Sequence, residues 1–386
     1  MEASKNWLLN PILVTGATGF IGGRVCERLV QAGAREVRAL VHTFQKAPRI
    51  ARLPIQLFLG DMLNPPTLAA ALGNATIVIH CALGNGREIV RGTRNVLRVC
   101  KSAGVRRMVH VSTAAVYGLK PPPFCETEDA PLRRTGDSYC DNKARAERAV
   151  RAYARKGLPV VILRPSIVYG PYSFWSTRLI TGLRKNHVSL IDGGNGACNT
   201  THVDNLIDAI FLSIENDAAL GEAFFITDGE RNTWRDFIGA HAAMMDTKVD
   251  IPVRSEQQIQ AFHEAQPGLW SASIKETFQV LMSPELRKLL RRIPIVTRLL
   301  VPIWEALEDL NENTKDKFRP RLIGKLISSP PVPDVHFPDP IMLATQTNET
   351  FFRIDKAQRI LGYEPRVRFS EGIKSVEQWL RFANYL

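Results

Sequence analysis

Two short stretches carry residue types suited to chemistry. One is YCDNK at 139–143, which sets a phenol and an ammonium four positions apart. The residues from Lys143 onward, KARAERAVRAYARK, have helical character. Tyr139 and Lys143 therefore fall one turn apart on a single helix face. Alone, such a pair also suits a solvated helix surface, so its meaning depends on what the chain places beside it. The other stretch is VTGATGFIGGRV at 14–25, with Gly16, Gly19 and Gly22 in G-x-x-G-x-x-G spacing directly after the apolar run ILVT. Glycine permits a tight turn and the close approach of a diphosphate to free N–H groups. The helix predicted to follow aims its positive N-terminal end at the same place. At a strand-to-helix junction this pattern is a dinucleotide-binding signal.

These residues need a scaffold, and the first half of the chain supplies one. Continuous apolar runs at 12–15, 37–41, 56–60, 77–81, 108–112 and 160–164 alternate with helical patterns such as 20–33 and 90–104. Strands apolar on both faces and separated by helices predict a parallel sheet covered on both sides. The fold class is α/β, a Rossmann-type doubly wound sheet with ligands at the carboxyl ends of its strands. The dinucleotide-binding domain is expected over 10–165, with 200–230 returning to it through a strand at 224–227. A smaller, mostly helical C-terminal substrate lobe is expected over 166–199 and 231–386. It includes a helical insertion at 246–345 that ends in the proline-rich SSPPVPDVHFPDP of 328–340, which reads as an extended connector. The last part, 355–380, reads as two short helices around a Gly-Tyr-x-Pro turn.

The end of the second strand bears on the choice of cofactor. A carboxylate there would accept from the ribose 2′-hydroxyl of NAD. The sequence is LVHTFQK at 40–46, with Val41 and His42 and no acid. A 2′-phosphate is not repelled, and Arg24, His42 and Lys46 are within reach of contacting it, which leans towards NADP over NAD. Asp61, in the Gly-Asp-Met turn after the third strand, suits either the adenine edge or a simple turn.

Composition narrows the classes further. With 45% hydrophobic and 23% charged residues over 386 positions, the chain reads as globular, with room for a large core and a second lobe. No basic start followed by a long apolar run marks a secretory signal, and no apolar stretch reaches membrane-spanning length. Six cysteines without C-x-x-C pairing or metal-like spacing fit a reducing cytoplasm and no metal site. The net charge of +12 suits an anionic cofactor, a membrane surface or simply solvated side chains. Basic clusters stand at 287–292 and 315–321, but no aromatic–basic alternation supports nucleic-acid binding.

Taken together, TGATGFIG at 15–22, GD at 60–61, HCA at 80–82, STAAVYG at 112–118, YCDNK at 139–143, RPSIVYGP at 164–171 and HVDN at 202–205 resemble the extended short-chain dehydrogenase/reductase family, within the NAD-dependent epimerase/dehydratase superfamily. The resemblance spans roughly residues 10–230 and the C-terminal LGYEP segment. It implies an NAD(P)-dependent oxidoreductase. Tyr139 matches the family's general acid/base, Lys143 the residue that tunes it and holds the nicotinamide ribose, and Thr113 the hydroxyl that bonds the same substrate oxygen, with Ser112 supporting the strand end. A free phenol titrates near ~10, and the ammonium and the positive nicotinamide are expected to lower that value. The resemblance places cofactor contacts at Gly16, Thr18, Gly19, Phe20, Ile21, Gly22, His42, Asp61, Met62, Cys81, Ala82, Tyr139, Lys143 and Pro165. Asn95 matches a common family asparagine, with a structural role as fitting as a catalytic one.

Departures within the family bear on the substrate. Sugar-nucleotide 4,6-dehydratases carry an Asp-Glu pair where this chain has Ala114 and Ala115. Many UDP-sugar epimerases hold the diphosphate with an Asn and an Arg at positions nearest to Ile167 and Cys198, neither of which binds an oxyanion in that way. Arg178, Arg184 and Lys185 are the available substitutes. LRPSIVYGP at 163–171 and VDN at 203–205 are similar to the 3β-hydroxysteroid and sterol-carboxylate dehydrogenase branch. The expectation is therefore hydride transfer interconverting a secondary alcohol and a ketone on a hydrophobic small-molecule substrate, such as a sterol, lipid or polyketide-like compound. A nucleotide-sugar epimerase or reductase and a non-catalytic cofactor-binding scaffold are the alternatives. The apolar stripe Leu286, Leu289, Leu290 and Ile293, set among basic residues in 284–304, fits either a lid on the substrate lobe or peripheral contact with a membrane. Trp270, Phe278 and Trp304 fit a greasy pocket or plain filling of the lobe. The helices at 90–104 and 139–157 are candidates for a homodimer contact.

Overall fold

The computed structural model describes residues 6–265 and 337–386. The amphipathic stretch 284–304, both basic clusters, Trp270, Phe278, Trp304 and most of the proline-rich segment lie outside the described residues. The chain divides into one unit made of the residues up to Glu256 with Pro338–Leu386, and another made of Gln257–Phe337.

In the first unit, β1 (Ile12–Thr15) leads into α1 (Phe20–Gln31), then β2 (Val37–Val41), the single turn α2 (Pro48–Ala51), β3 (Gln56–Leu59), α3 (Pro65–Leu72), β4 (Ile77–His80), α4 (Arg87–Ser102) and β5 (Arg107–Val111). Next come α5 (Ser138–Arg155) and β6 (Val160–Pro165). The strand β7 (Ile167–Tyr169), α6 (Phe174–Arg184), β8 (Leu190–Ile191), β9 (Thr200–His202), α7 (Val203–Glu215), β10 (Ala223–Ile226), α8 (Trp234–Ala242) and β11 (Val253–Arg254) follow. The helix α9 (Glu256–Ala265) enters the second unit, where Phe262 stacks on Phe337 with ring centroids 4.1 Å apart. The chain closes with α10 (Pro340–Gln346), α11 (Asp355–Leu361) and α12 (Phe369–Phe382).

Seven strands form one parallel sheet in the order β3-β2-β1-β4-β5-β6-β10, a Rossmann-type arrangement. The apolar runs explain it. Ile12 and Val14 face one side of the sheet, Leu13 the other; Ile77 and Ile79 alternate with Val78, and Val161 and Leu163 with Val160 and Ile162. Both faces are buried, so both sets must be apolar. One face packs on α1 and α7. The opposite face packs on α3, α4 and α5 through Leu68, Val96, Leu97 and Val150. A separate core around Tyr169, Trp234, Phe237, Val376 and Leu380 joins α6, α8 and α12.

Two features differ from the sequence reading. Ile354, Ala357, Leu361 and Tyr363 join the sheet core beside α7 and not the separate core, because α11 carries its apolar side against β10. The expected helical insertion begins without a helix: 246–252 is irregular and Val253–Arg254 pairs in parallel with β8 before α9 starts.

Candidate active site

The turn from β1 into α1 is shaped by what glycine lacks. Gly16 has φ +72°, and a Cβ there would sit 2.7 Å from the backbone of Ala82 at the end of β4. A Cβ on Gly22 would lie 2.2 Å from the Gly16 carbonyl oxygen. The helix α1 therefore starts flush against the turn. Its N-cap, Gly19, provides no side-chain bond to the first N–H groups, and its first turn holds no acid. Those N–H groups remain available to an anion.

The turn borders a groove of about 650 Å³. Gly16, Thr18, Gly19, Phe20, Ile21, Gly22, His42, Asp61, Met62, Cys81 and Ala82 all line it. Tyr139, Lys143 and Pro165 do not; Pro165 closes β6, paired with Ile226. Leu40, Leu63, Leu83, Gly84, Asn85 and Glu88 also line the groove and were absent from the sequence reading. The loop after β4 has no pattern beyond its place at a strand's carboxyl end, which is the signal that was available.

Asp61 does turn work while bordering the groove: its Oδ1 accepts from the Leu63 N–H at 2.9 Å. Asn95 donates to the Met62 carbonyl at 2.9 Å, a structural task. At the β2 end, His42 and Lys46 are exposed on the groove rim with no carboxylate from that strand end. Arg24 is diverted. Its guanidinium donates to both carboxylate oxygens of Asp204, at 2.8 and 3.0 Å, and to Glu27 at 3.0 Å. Asp204 lies in the HVDN segment at the start of α7, and that segment proves to be a packing knot. Asn205 accepts from the N–H groups of Arg366 and Val367, and Asp228 accepts from the His202 N–H at 2.7 Å.

Asp137 caps the start of α5, its carboxylate accepting from the Cys140 N–H at 2.8 Å. This puts Tyr139 in the first turn, beside the end of β5. Thr113 follows that strand in an extended conformation, and its Oγ1 accepts from the Ala115 N–H at 3.2 Å. The Thr113 hydroxyl lies close enough to act on the Tyr139 phenol and favour its ionised form. Although Tyr139 keeps 41% of its surface exposed, its pKa is raised: burial of the phenol acts first, the Thr113 hydroxyl opposes it, and Cys140 and Asp137 add to it.

Lys143 behaves differently from the sequence expectation. It is buried, and its Nζ donates to the Val111 carbonyl at 3.2 Å. Burial pulls its pKa down to about 8, against the opposing pull of Glu147 and Cys81. Lys143 is not among the groups that act on the Tyr139 phenol, whose pKa moves upward where a fall was expected. Lys143 is buried with its Nζ on the Val111 carbonyl, while Tyr139 keeps much of its surface exposed.

The positions that would hold a sugar-nucleotide diphosphate are not equipped for it. Cys198 is fully buried within the separate core, and Ile167 packs against the same core. Arg178 is paired with Asp339 at 2.6 Å, while Arg184 borders a different hollow, with Met245 and Leu386. Ala114 and Ala115 form a single 3₁₀ turn with no carboxylate.

With this geometry in view, comparison with known proteins places the chain. The family model of the NAD dependent epimerase/dehydratase family matches residues 12–226, and the chain belongs to that family. It is similar to a 4-hydroxy-2-methyl-3-oxo-4-farnesyl-3,4-dihydroquinoline-1-oxide ketoreductase of Stigmatella aurantiaca, 29% identical over 68% of this chain and 81% of the relative. It is also similar to the mouse (Mus musculus) sterol-4-alpha-carboxylate 3-dehydrogenase, decarboxylating, 31% identical over 56% of this chain and 64% of that one. Among solved structures, the UDP-glucuronic acid 4-epimerase of Bacillus cereus in complex with NAD shares the fold at a TM-score of 0.64 and 19% identity, covering 97% of this chain and 99% of the other. The chain is thus an NAD(P)-dependent oxidoreductase of the extended short-chain dehydrogenase/reductase type.

Proposed function

We propose that this enzyme interconverts a ketone and a secondary alcohol on a hydrophobic substrate, with NADP as the favoured cofactor. The observation that carries this reading is the placement of Thr113 at the carboxyl end of β5 and of Tyr139 in the first turn of α5, which packs on the turn that Thr113 caps. Two donors at one point suit a single carbonyl oxygen. The raised pKa keeps the Tyr139 phenol protonated at neutral pH, so it is ready to give its proton to the oxygen of a ketone being reduced. Thr113 would fix that oxygen from the other side.

The glycine turn and the uncapped start of α1 fit the diphosphate of a dinucleotide. Bound there, the cofactor supplies or accepts the hydride, and the protein positions it. Lys143, buried on the Val111 carbonyl at the end of β5, would hold the nicotinamide ribose only if its Nζ exchanges that carbonyl for the sugar. His42 and Lys46 would meet a 2′-phosphate, and the lack of a carboxylate from the β2 end removes the usual partner of a free 2′-hydroxyl. The apolar character of the substrate is supported by the ketoreductase and sterol dehydrogenase relatives and by the missing diphosphate ligands at Ile167 and Cys198.

The test is oxidation of NADPH and NADH against three probes: a 3-ketosteroid, a long-chain 2-alkyl-3-oxo ester and a UDP-sugar. Turnover of a hydrophobic ketone, with NADPH preferred, is expected. Tightly bound NAD with UDP-sugar conversion and no net cofactor consumption would replace this reading with the epimerase one. Cofactor binding without turnover of any probe would leave a scaffold.

A further inference from the structure

The end of β5 touches α5 at three consecutive residues, each meeting a different member of one helical stripe. The Val111 carbonyl accepts from Lys143 at 3.2 Å. The Ser112 hydroxyl donates to Glu147 Oε2 at 2.8 Å. Thr113, the next residue, caps the turn against which α5 packs, and its hydroxyl acts on the Tyr139 phenol. Positions 139, 143 and 147 are spaced by one turn each, so a rigid helix face is laid against a rigid strand end.

Glu147 is the deepest of the three and is fully buried. Arg164 of β6, equally buried, grips it with Nε to Oε2 at 3.0 Å and Nη2 to Oε1 at 2.5 Å. Arg151 adds a bond to Oε1 at 3.1 Å. The remaining side of Arg164 is fixed as well: Nη1 donates to the Tyr117 hydroxyl at 2.8 Å, and that hydroxyl donates to the carbonyls of Glu128 and Ala130. A buried ion pair is poor value as a source of stability, since desolvation offsets most of its attraction. What it does supply is direction. Four charge-assisted or hydroxyl donors converge on one carboxylate and leave it little freedom. Around Lys143, the facing titratable groups are Glu147 on its own helix, His80 from β4 with Cys81 directly after it, and His110 from β5. Burial keeps both imidazoles neutral, so Glu147 is the negative charge in that set.

We propose that Glu147 is a positioning residue: clamped by Arg164 and Ser112, it fixes the end of β5 against α5 and so holds Lys143 on the Val111 carbonyl and Thr113 at the strand end next to the first turn of α5. This rests on reading Thr113, Tyr139 and Lys143 as the catalytic set, and it adds the device that holds them.

Two variants test it. Ser112→Ala removes one donor and spares the ion pair. Glu147→Gln keeps the shape and removes the charge. With NADPH and whichever ketone probe the wild type reduces, kcat of Ser112→Ala should fall about tenfold, while KM for NADPH and the melting temperature move little. In Glu147→Gln, the loss of activity at high pH should set in at lower pH, because the Lys143 amine has lost its carboxylate; Glu147→Asp should restore much of that limb. A lowered melting temperature with unchanged kcat and an unchanged pH profile would overturn the proposal by making the clamp merely structural. If Glu147→Gln does not fold, Ser112→Ala decides. Should the wild type reduce no probe, the titration of Lys143 in carbon-labelled-lysine NMR, assigned with Lys143→Arg, still decides. A downward shift in Glu147→Gln supports the clamp and an unmoved Lys143 titration refutes it, whereas the functional reading is judged on turnover alone.

Discussion

The two ends of the candidate site are built from different materials. The groove beside α1 is made of backbone: Gly16 and Gly22 matter for atoms they do not have, and the anion-facing groups are main-chain N–H. The seam between β5 and α5 is made of side chains, with a fully buried carboxylate and guanidinium behind a lysine and two hydroxyls. A groove of the first kind should tolerate most exchanges on its rim and fail on the addition of one carbon. A seam of the second kind should fail on the removal of one oxygen. Binding and chemistry can therefore be broken separately.

The largest effect is expected on the seam side. Tyr139→Phe deletes a hydroxyl and nothing else, and kcat should fall by roughly 10²–10⁴, while NADPH binding, followed by nicotinamide fluorescence, stays near wild type. Loss of binding together with turnover would blur the distinction between the two ends. Next comes the groove. Gly22→Val puts carbon where the Gly16 carbonyl stands, and overpacking of this kind costs about 1–3 kcal/mol. The melting temperature should drop and NADPH binding should be lost, including in preparations that remain folded. The smallest effect belongs to the rim. Lys46→Glu should shift the ratio of NADPH to NADH affinity towards NADH by about tenfold, the scale of one lost ion pair replaced by repulsion. Arg24→Ala should leave that ratio unmoved, because Asp204 already holds the guanidinium.

The groove was legible in the sequence because its signal is local. Gly16, Gly19 and Gly22 stand within seven residues, directly behind a strand, and the groove residues named from that motif and its family do line one hollow. The sheet was legible for the same reason, since each strand is a short apolar run whose burial on two faces needs no distant information. The seam was only half legible. The spacing of Tyr139 and Lys143 places them on one face, but spacing says nothing of depth, and Lys143 is buried with its Nζ on the Val111 carbonyl. Arg24 was misread because its partner Asp204 lies 180 residues away. The pairing of Glu147 with Arg164 has no local pattern, because nothing in either stretch marks two charges that will be buried against each other. The packing of α11 on β10 was hidden likewise: Ala357 and Leu361 look like any amphipathic turn until the sheet edge they cover is known.

The central claim is that Tyr139 stands protonated next to Thr113, as the acid for a ketone oxygen. An ultraviolet difference titration of the cofactor-free protein, wild type minus Tyr139→Phe, reads that phenol directly. Ionisation above the ordinary value near ~10, moving higher still in Thr113→Val as the opposing hydrogen bond is lost, is the predicted result. A tyrosinate forming well below that value, or one indifferent to Thr113, would contradict the account.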